Sequence, residues 1–495
     1  MPVPAAWPYS SLCHLLWHGF SAGCTVQMEV GALVLSCRLS ADSCPMSRPD
    51  DAAHRFWRYA LPSILAMLVT GCYVVVDGVF VGHYVGPIGL AAINLAYPLV
   101  MVQVGVAAML SMGASTRIAL LLGEGRHAAA GQVLVAAALL ALLLGGLLAL
   151  GGLVWLDDWL HLLGTGGDAV LLAEARAYLV WMLGGSPLLC AQMLATYLLR
   201  NDGRPRLATG LMVASTLLNI GFDYWFVGVL GHGLAGSAQA SLIAMGVVAA
   251  AGMLYFGSAR ASLRPVMGRM GKLPAQMADI VRLGASSLLM ELNLALVLFT
   301  HNQQLLVYGG TGGVAAYAVA GYTEMVFTLV AHGLALGMQP LLGQAVGGGR
   351  PDEARAVLRY GLCTAATLAF GAWAAVQLFA GSIARLYVAA GDTTLLAASA
   401  HALRLHLSAL PFDGLAIVGT LALQSMAATR QALLLTLGKT LLLMPALYGL
   451  PLWLALDGVW LAMPLVNLVL GCVTASLLWR QWQRLGVPAA QPQPA

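Results

Sequence analysis

The sequence predicts an all-α polytopic membrane protein with twelve transmembrane helices in two six-helix bundles. Three observations carry that prediction. The composition is too apolar for a soluble chain, apolar stretches of membrane-spanning length recur along it, and the whole pattern repeats about halfway. Of 495 residues, 60% are hydrophobic and only 9% charged, where a soluble chain carries about 25% charge. So few charges cannot coat several globular domains, which excludes a soluble enzyme, a disordered chain and a nucleic-acid binder. The net charge of +4 points to no polyanionic partner.

A membrane helix needs about 20 mostly apolar residues. Such stretches lie near 57–81, 92–120, 130–154, 174–199, 207–229, 235–256, 280–307, 314–344, 356–380, 398–425, 431–453 and 457–480. Breaks between them are short and polar, as in GEGRH (123–127), RNDGRPR (200–206) and GGGRPDEAR (347–355). Period-2 alternation is absent, which excludes a β-barrel. Pro62, Pro187, Pro340 and Pro411 fall inside spans, and each removes a backbone bond and predicts a kink.

Orientation follows from lysine and arginine placement. With the chain entering from the cytoplasm, the inner segments carry nearly all of the 24 basic residues, including Arg58, Arg126, Arg200, Arg206, Arg260, Arg350 and Lys439. The outer side holds Arg176, Arg385 and Arg404. Both termini are therefore expected in the cytoplasm, with the chain in a bacterial inner membrane. Most tryptophans, Trp57, Trp155, Trp225, Trp453 and Trp460 among them, fall near span ends, as an interfacial belt requires.

Residues 1–54 fit none of this. They read as a disordered extension, or as a start placed too far upstream, since Met46 opens a short natural lead (MSRPDDAAHRFWRY). They hold Cys13, Cys24, Cys37 and Cys44. Cys72, Cys190, Cys363 and Cys472 stand singly in or near spans, without a CxxC, and read as small apolar core residues.

Sliding the chain along itself gives one productive offset, 224 residues (310 − 86). Gly86 and Gly89 fall on Gly310 and Gly313, Gly123, Gly125 and Arg126 on Gly347, Gly349 and Arg350, and Pro187 on Pro411. The bundles are assigned to 55–256 and 280–482, joined by a basic cytoplasmic linker, 257–279, and followed by a tail, 483–495. Six spans per half means that both halves enter in the same direction. They are then related by an axis along the membrane normal, with a substrate path between them.

An acid inside a span is costly and is a functional candidate by default. Four qualify: Asp77, Asp223, Glu291 and Asp413. Their repeat mates are His301, Leu447, Met67 and Leu189, so the acids break the symmetry of the scaffold. Asn219 lies four residues before Asp223, on the same helix face, and Ser241 lies level with Asp223 across the hairpin of spans five and six. Asp77, Asn219, Asp223 and Ser241 would make an oxygen-lined pocket suited to a proton or a hard cation such as Na⁺. Glu291 and Asp413, near mid-span, would bind a cationic substrate or take part in proton transfer. The facing of Glu324 is undetermined, Asp157 and Asp158 read as solvated, and His301 reads as a packed polar residue. Pro62 would let the first helix bend beneath Asp77.

At these residues the chain resembles the multidrug and toxic compound extrusion (MATE) family. The resemblance covers residues 55–482. It rests on VVVDGVFVGHYVGPIGLAAINLAYP (74–98), NIGFD (219–223) with GLAGSAQAS (233–241), GLALGMQPLLGQAVGGGR (333–350) and PFDGLAIVGTLALQSMAATR (411–430). It implies a V-shaped pair of bundles exporting amphipathic, often cationic compounds against H⁺ or Na⁺. It also implies a coupling site at Asp77, Asn219 and Asp223 (with Na⁺ as one candidate ion), Ser241 where the family usually has threonine, and a helix bend at Pro62. NorM-like members have acids resembling Glu291 and Asp413, while the surrounding text is closer to the DinF-like and MepA-like branches. No cofactor is expected beyond the coupling ion, and the partners are drug-like small molecules and the bilayer, with a monomer as default. Two alternatives stay open: another twelve-helix carrier or lipid-linked sugar flippase, and a membrane-embedded transferase.

Overall fold

The computed structural model describes residues 49–163, 169–268, 270–388 and 392–485. The expectations for residues 1–45 and for the tail past 485 lie outside the described residues. Ten helices are long and apolar enough to cross a membrane: Ala52–Tyr84, Ile88–Gly123, His127–Val154, Pro205–Val229, Gly233–Gly257, Leu273–Gly310, Gly312–Gly347, Pro351–Ala384, Thr429–Leu454 and Leu456–Arg484. Two bent pairs complete the twelve spans. Span four is Ala169–Gly184 with Ser186–Asn201, and span ten is Thr393–His406 with Leu410–Ser425; each bends by 52°. Among the described residues there is no strand.

The repeat is visible in the backbone. The two bent spans start, break and end 224 residues apart (393 − 169, 410 − 186, 425 − 201). Proline is the shared cause, with Pro187 and Pro411 each one residue past the break. In span four the freed carbonyl of Leu183 is bonded by Ser186 Oγ at 2.6 Å, and Gln103 Nε2 steadies that hydroxyl at 2.6 Å. The left-handed turns also come in mates: Gly86 and Gly310, Gly125 and Gly349, Gly203 and Ala427, Gly231 and Ala455. Only the last two pairs place a side chain where φ is positive, at 56° for Ala427 and 49° for Ala455. That conformation costs a non-glycine residue about 1–2 kcal/mol.

The halves meet through span two against spans seven and eight, and span one against span eight. The approach is backbone to backbone. A Cβ at Gly337 would fall 2.6 Å from the Ala60 Cα. One at Gly123 would strike the Gln344 carbonyl, and one at Gly347 the Leu120 carbonyl. Those last two contacts exchange repeat mates (347 − 123 = 344 − 120), as a two-fold axis requires. Ser115 Oγ donates to Gln339 Oε1 at 2.8 Å, and these two are themselves mates 224 apart, so the axis passes between them.

The same end gathers positive charge. A cavity of about 880 Å³ there is lined by Arg58, Arg204, Arg206 and Arg260 with Trp57 and Tyr255. The linker is pinned rather than merely connecting: Asp202 accepts from the Tyr255 hydroxyl at 2.5 Å and from the backbone N–H of Leu263 at 2.6 Å.

Several expectations are corrected. Arg200 is no face marker. It is 2% exposed, and donates to Ser63 Oγ at 3.2 Å and to the Thr196 carbonyl at 3.0 Å. Trp460 belongs to no interfacial belt, being 1% exposed in the core of the second half. Of the four span cysteines only Cys190 is buried, while Cys72 and Cys472 are exposed, since an apolar helix face turned to lipid accepts them as readily as a core does.

Two predictions follow from this backbone. Ala427→Gly and Ala455→Gly should each raise stability by about 1 kcal/mol, read as a higher thermal midpoint in detergent. Gly347→Val should cost at least about 1–3 kcal/mol by overpacking and abolish transport; normal transport would show that the halves need not approach so closely.

Candidate functional site

In the first half the predicted residues converge. Asp223, Asn219 and Ser241 are 0%, 2% and 6% exposed, and Asp77 is half-buried opposite them on span one. Asn219 Nδ2 donates to Ser241 Oγ at 3.1 Å. The Asp77 and Asp223 carboxyl groups are close enough for each to feel the other's charge. Directly after Asp223 the helix widens into a π-turn over Tyr224–Val229, a distortion frequent at functional positions.

The structure adds Ser237, whose hydroxyl donates to Asp77 Oδ1 at 2.7 Å. The signal for it was available: Ser237 precedes Ser241 by four residues and therefore shares its helix face.

What the pocket lacks defines its chemistry. Both Asp223 oxygens and Asn219 Oδ1 are buried with no hydrogen-bond donor from the protein. Three orphaned oxygens beside a second carboxyl group are a donor set for a proton or a hard cation, so Na⁺ fits these residues as well as H⁺ does. Among the described residues no group of three or more His, Cys, Asp or Glu side chains forms a metal centre.

Pro62 lies about four turns below Asp77 on span one. Its carbonyl accepts from Thr209 Oγ1 of span five at 2.8 Å, and the next residue, Ser63, is held by Arg200. The proline is thus tied to the span that carries Asp223.

In the second half Glu291 and Asp413 each have neighbours of their own. Glu291 packs at Gly105 of span two and faces the tyrosines Tyr97 and Tyr197, at the junction of the halves. Asp413, 2% exposed, is neutralised by Lys439 Nζ at 3.2 Å. Lys439 had been counted with the cytoplasmic face, but it lies mid-helix in Thr429–Leu454. An acid so paired does not present a free charge to a cationic substrate. Glu324 proves to face inward, with His406 Nε2 3.3 Å from its Oε2. His301 is packed as expected, stacked on Tyr317 with ring centres 5.3 Å apart.

With this geometry in hand, comparison with known proteins places the chain. The MatE family matches residues 62–225 and 288–448, which take in Pro62, Asp77, Asn219, Asp223 and the Asp413–Lys439 pair, with Ser237 and Ser241 falling between the matched segments. This chain belongs to the MATE family. It is therefore a multi-pass membrane transporter and not an enzyme. Among similar proteins, an FAD transporter of Shewanella oneidensis is 24% identical over 83% of this chain and 91% of its own length. The multidrug export protein MepA of Staphylococcus saprophyticus is 20% identical over 88% and 95%. A multidrug resistance MATE family transporter solved in an outward-facing conformation superposes with a TM-score of 0.81 at 25% identity, covering 89% of this chain and 97% of that one. A MOP superfamily transporter from Pyrococcus furiosus shares the fold at TM-score 0.81 and 24% identity.

The Asp413–Lys439 pair generates a double-mutant test. Breaking a buried pair by removing one partner costs about 3–5 kcal/mol, whereas removing both costs far less. Partial exposure of Lys439, 24% at the side chain, should hold the loss near the lower figure. Lys439→Met should lower the thermal midpoint markedly, and Lys439→Met with Asp413→Leu should recover most of the loss.

Proposed function

We propose that this MATE-family protein exports small amphipathic, often cationic compounds across a bacterial inner membrane, in exchange for H⁺ or Na⁺ bound at Asp77, Asn219 and Asp223. The observation that carries this reading is the set of orphaned oxygens: Asp223 Oδ1 and Oδ2 with Asn219 Oδ1. Empty and ionised, Asp77 and Asp223 repel one another in a setting where screening is weak. A proton or Na⁺ removes that repulsion. Binding is therefore worth more in a state that brings the carboxyls together than in one that parts them, which is the condition for an ion to drive a conformational change.

Pro62 supplies the moving part. A proline-bearing helix bends at modest cost, and Thr209 transmits the position of span five to that bend. The glycine contacts at the arginine-rich end support a state closed on one face, and exchange then requires those contacts to part while the opposite face closes. A multidrug cargo is supported by the similarity to MepA. FAD enters as a second candidate cargo from the name of the Shewanella relative.

Cells expressing the protein should accumulate less ethidium than controls, and Asp77→Asn should abolish the difference. Full efflux in that variant removes Asp77 from the coupling site. Membrane vesicles given either an imposed Na⁺ gradient or a pH gradient, with ethidium or FAD as cargo, separate the coupling ion from the cargo class. Pro62→Ala should reduce the rate about tenfold or more, equivalent to about 1.4 kcal/mol of lost coupling, and an unchanged rate would show that the bend is dispensable.

A further inference from the structure

The repeat places His301 at the position of Asp77 (301 − 77 = 224), and the structure surrounds it with groups that no other part of the mechanism uses. His406, at the end of the first segment of span ten, is 4% exposed and His301 0%. Their rings meet edge to face at 5.7 Å. Tyr317 closes one side, 5.3 Å from each ring, and Trp460 of span twelve closes another, 6.2 Å from His406. Glu324 of span eight reaches in, its Oε2 3.3 Å from His406 Nε2. Both ring nitrogens of His406, and His301 Nε2, are buried without a formed hydrogen bond, so the approach of His406 Nε2 to Glu324 is a close contact awaiting a proton.

We infer that Glu324 and His406 form a second proton-binding site, in the second half, packed beside His301, the repeat mate of Asp77. This rests on the exchange reading for its purpose, but not for its existence. The chemistry balances simply. A proton from water adds to the lone pair of His406 Nδ1, the imidazole becomes imidazolium with Nε2–H turned to the Glu324 carboxylate, and the pair passes from charge −1 to 0. No other bond forms or breaks. A packing role alone is served by any apolar pair of similar volume. A histidine and a glutamate facing each other across buried surface are instead a pair able to hold a proton between them, and intramembrane ionisable groups are functional candidates by default.

The surrounding charges are few. Span seven contributes His301, span eight Tyr317 and Glu324, with His332 two turns on beside the Asp413–Lys439 pair, and span eleven Lys439, whose field reaches Glu324. Span ten itself adds His401, bonded to Asp457 of span twelve at 2.8 Å on the exposed end, and Arg404. The titratable residues of span nine all lie in its first four turns, at the arginine-rich end. The nearest cation is thus already held by Asp413, and Glu324 has His406 as its direct partner.

The test uses the full-length protein in nanodiscs with ¹³C-labelled histidine rings. The His406 resonance, identified by its loss in His406→Gln, is followed from about pH 5 to pH 9. The inference expects it to titrate in the wild type, and its midpoint to move by about one pH unit or more in the isosteric Glu324→Gln. In vesicles, each single variant should shift the pH profile of efflux, and the double variant should resemble the singles, as for two members of one unit. A His406 ring that keeps one protonation state throughout, or titrates identically without the Glu324 charge, overturns the site and leaves the cluster as packing. The ring titration requires no transport. If no gradient drives efflux yet His406 titrates, exchange fails and the site stands; if Asp77→Asn abolishes efflux yet His406 does not titrate, the reverse holds.

Discussion

A charge held in hydrocarbon must be matched or discharged, and the interior of this protein is organised by how each buried group meets that demand. Asp413 is matched by Lys439, Glu324 lies 3.3 Å from His406, which matches it only when protonated, and Arg200 is spread over hydroxyl, carbonyl and ring contacts. Asp77 and Asp223 have only each other and hydroxyl or amide neighbours, which leaves the demand unmet within the chain. The pocket of the first half is therefore a place where two buried acids lack a countercharge from the chain, and Pro62, tied to span five by Thr209, stands on the same helix as one of them.

Much of this was legible in the sequence. Twelve spans follow from hydropathy alone, because the bilayer imposes a length that composition cannot hide. The repeat was readable from glycine, since a left-handed turn or a backbone contact restricts the choice of residue so severely that Gly86, Gly123 and their mates survive when the apolar residues around them drift. Asn219 and Asp223 were readable because four-residue spacing fixes a common face. Partners were harder to read. Lys439 was assigned to the cytoplasmic face because it follows a span break by a few residues, yet the helix begins ten residues earlier, at Thr429, and carries it to mid-depth. That Asp413 pairs with it depends on the crossing of spans ten and eleven, which no local pattern encodes. Glu324 and His406 stand on spans eight and ten, with all of span nine between them in sequence, and only packing shows that they meet.

The asymmetry between halves also gains content. A scaffold duplicated with its turns, kinks and contacts intact carries an acid pair in one half, and in the other a salt bridge with an aromatic-walled histidine cluster. The backbone sets where a polar site fits, between the first, fifth and sixth spans of each half or their neighbours, and the side chains decide which ion or charge occupies it. Family membership fixes the former and leaves the latter to individual residues, which is consistent with relatives of the same fold bearing names as different as an FAD transporter and a multidrug export protein.

The bond between Ser115 and Gln339 has a wider meaning. Mates that touch across an axis are the mark of an isologous interface, the kind formed by two copies of one subunit. Here both copies lie on one chain, and the segment after Gly257 replaces association from solution by tethering. A tether of this length holds the halves at an effective concentration in the millimolar range, so the contact can be individually weak, weak enough to open, without the assembly ever coming apart.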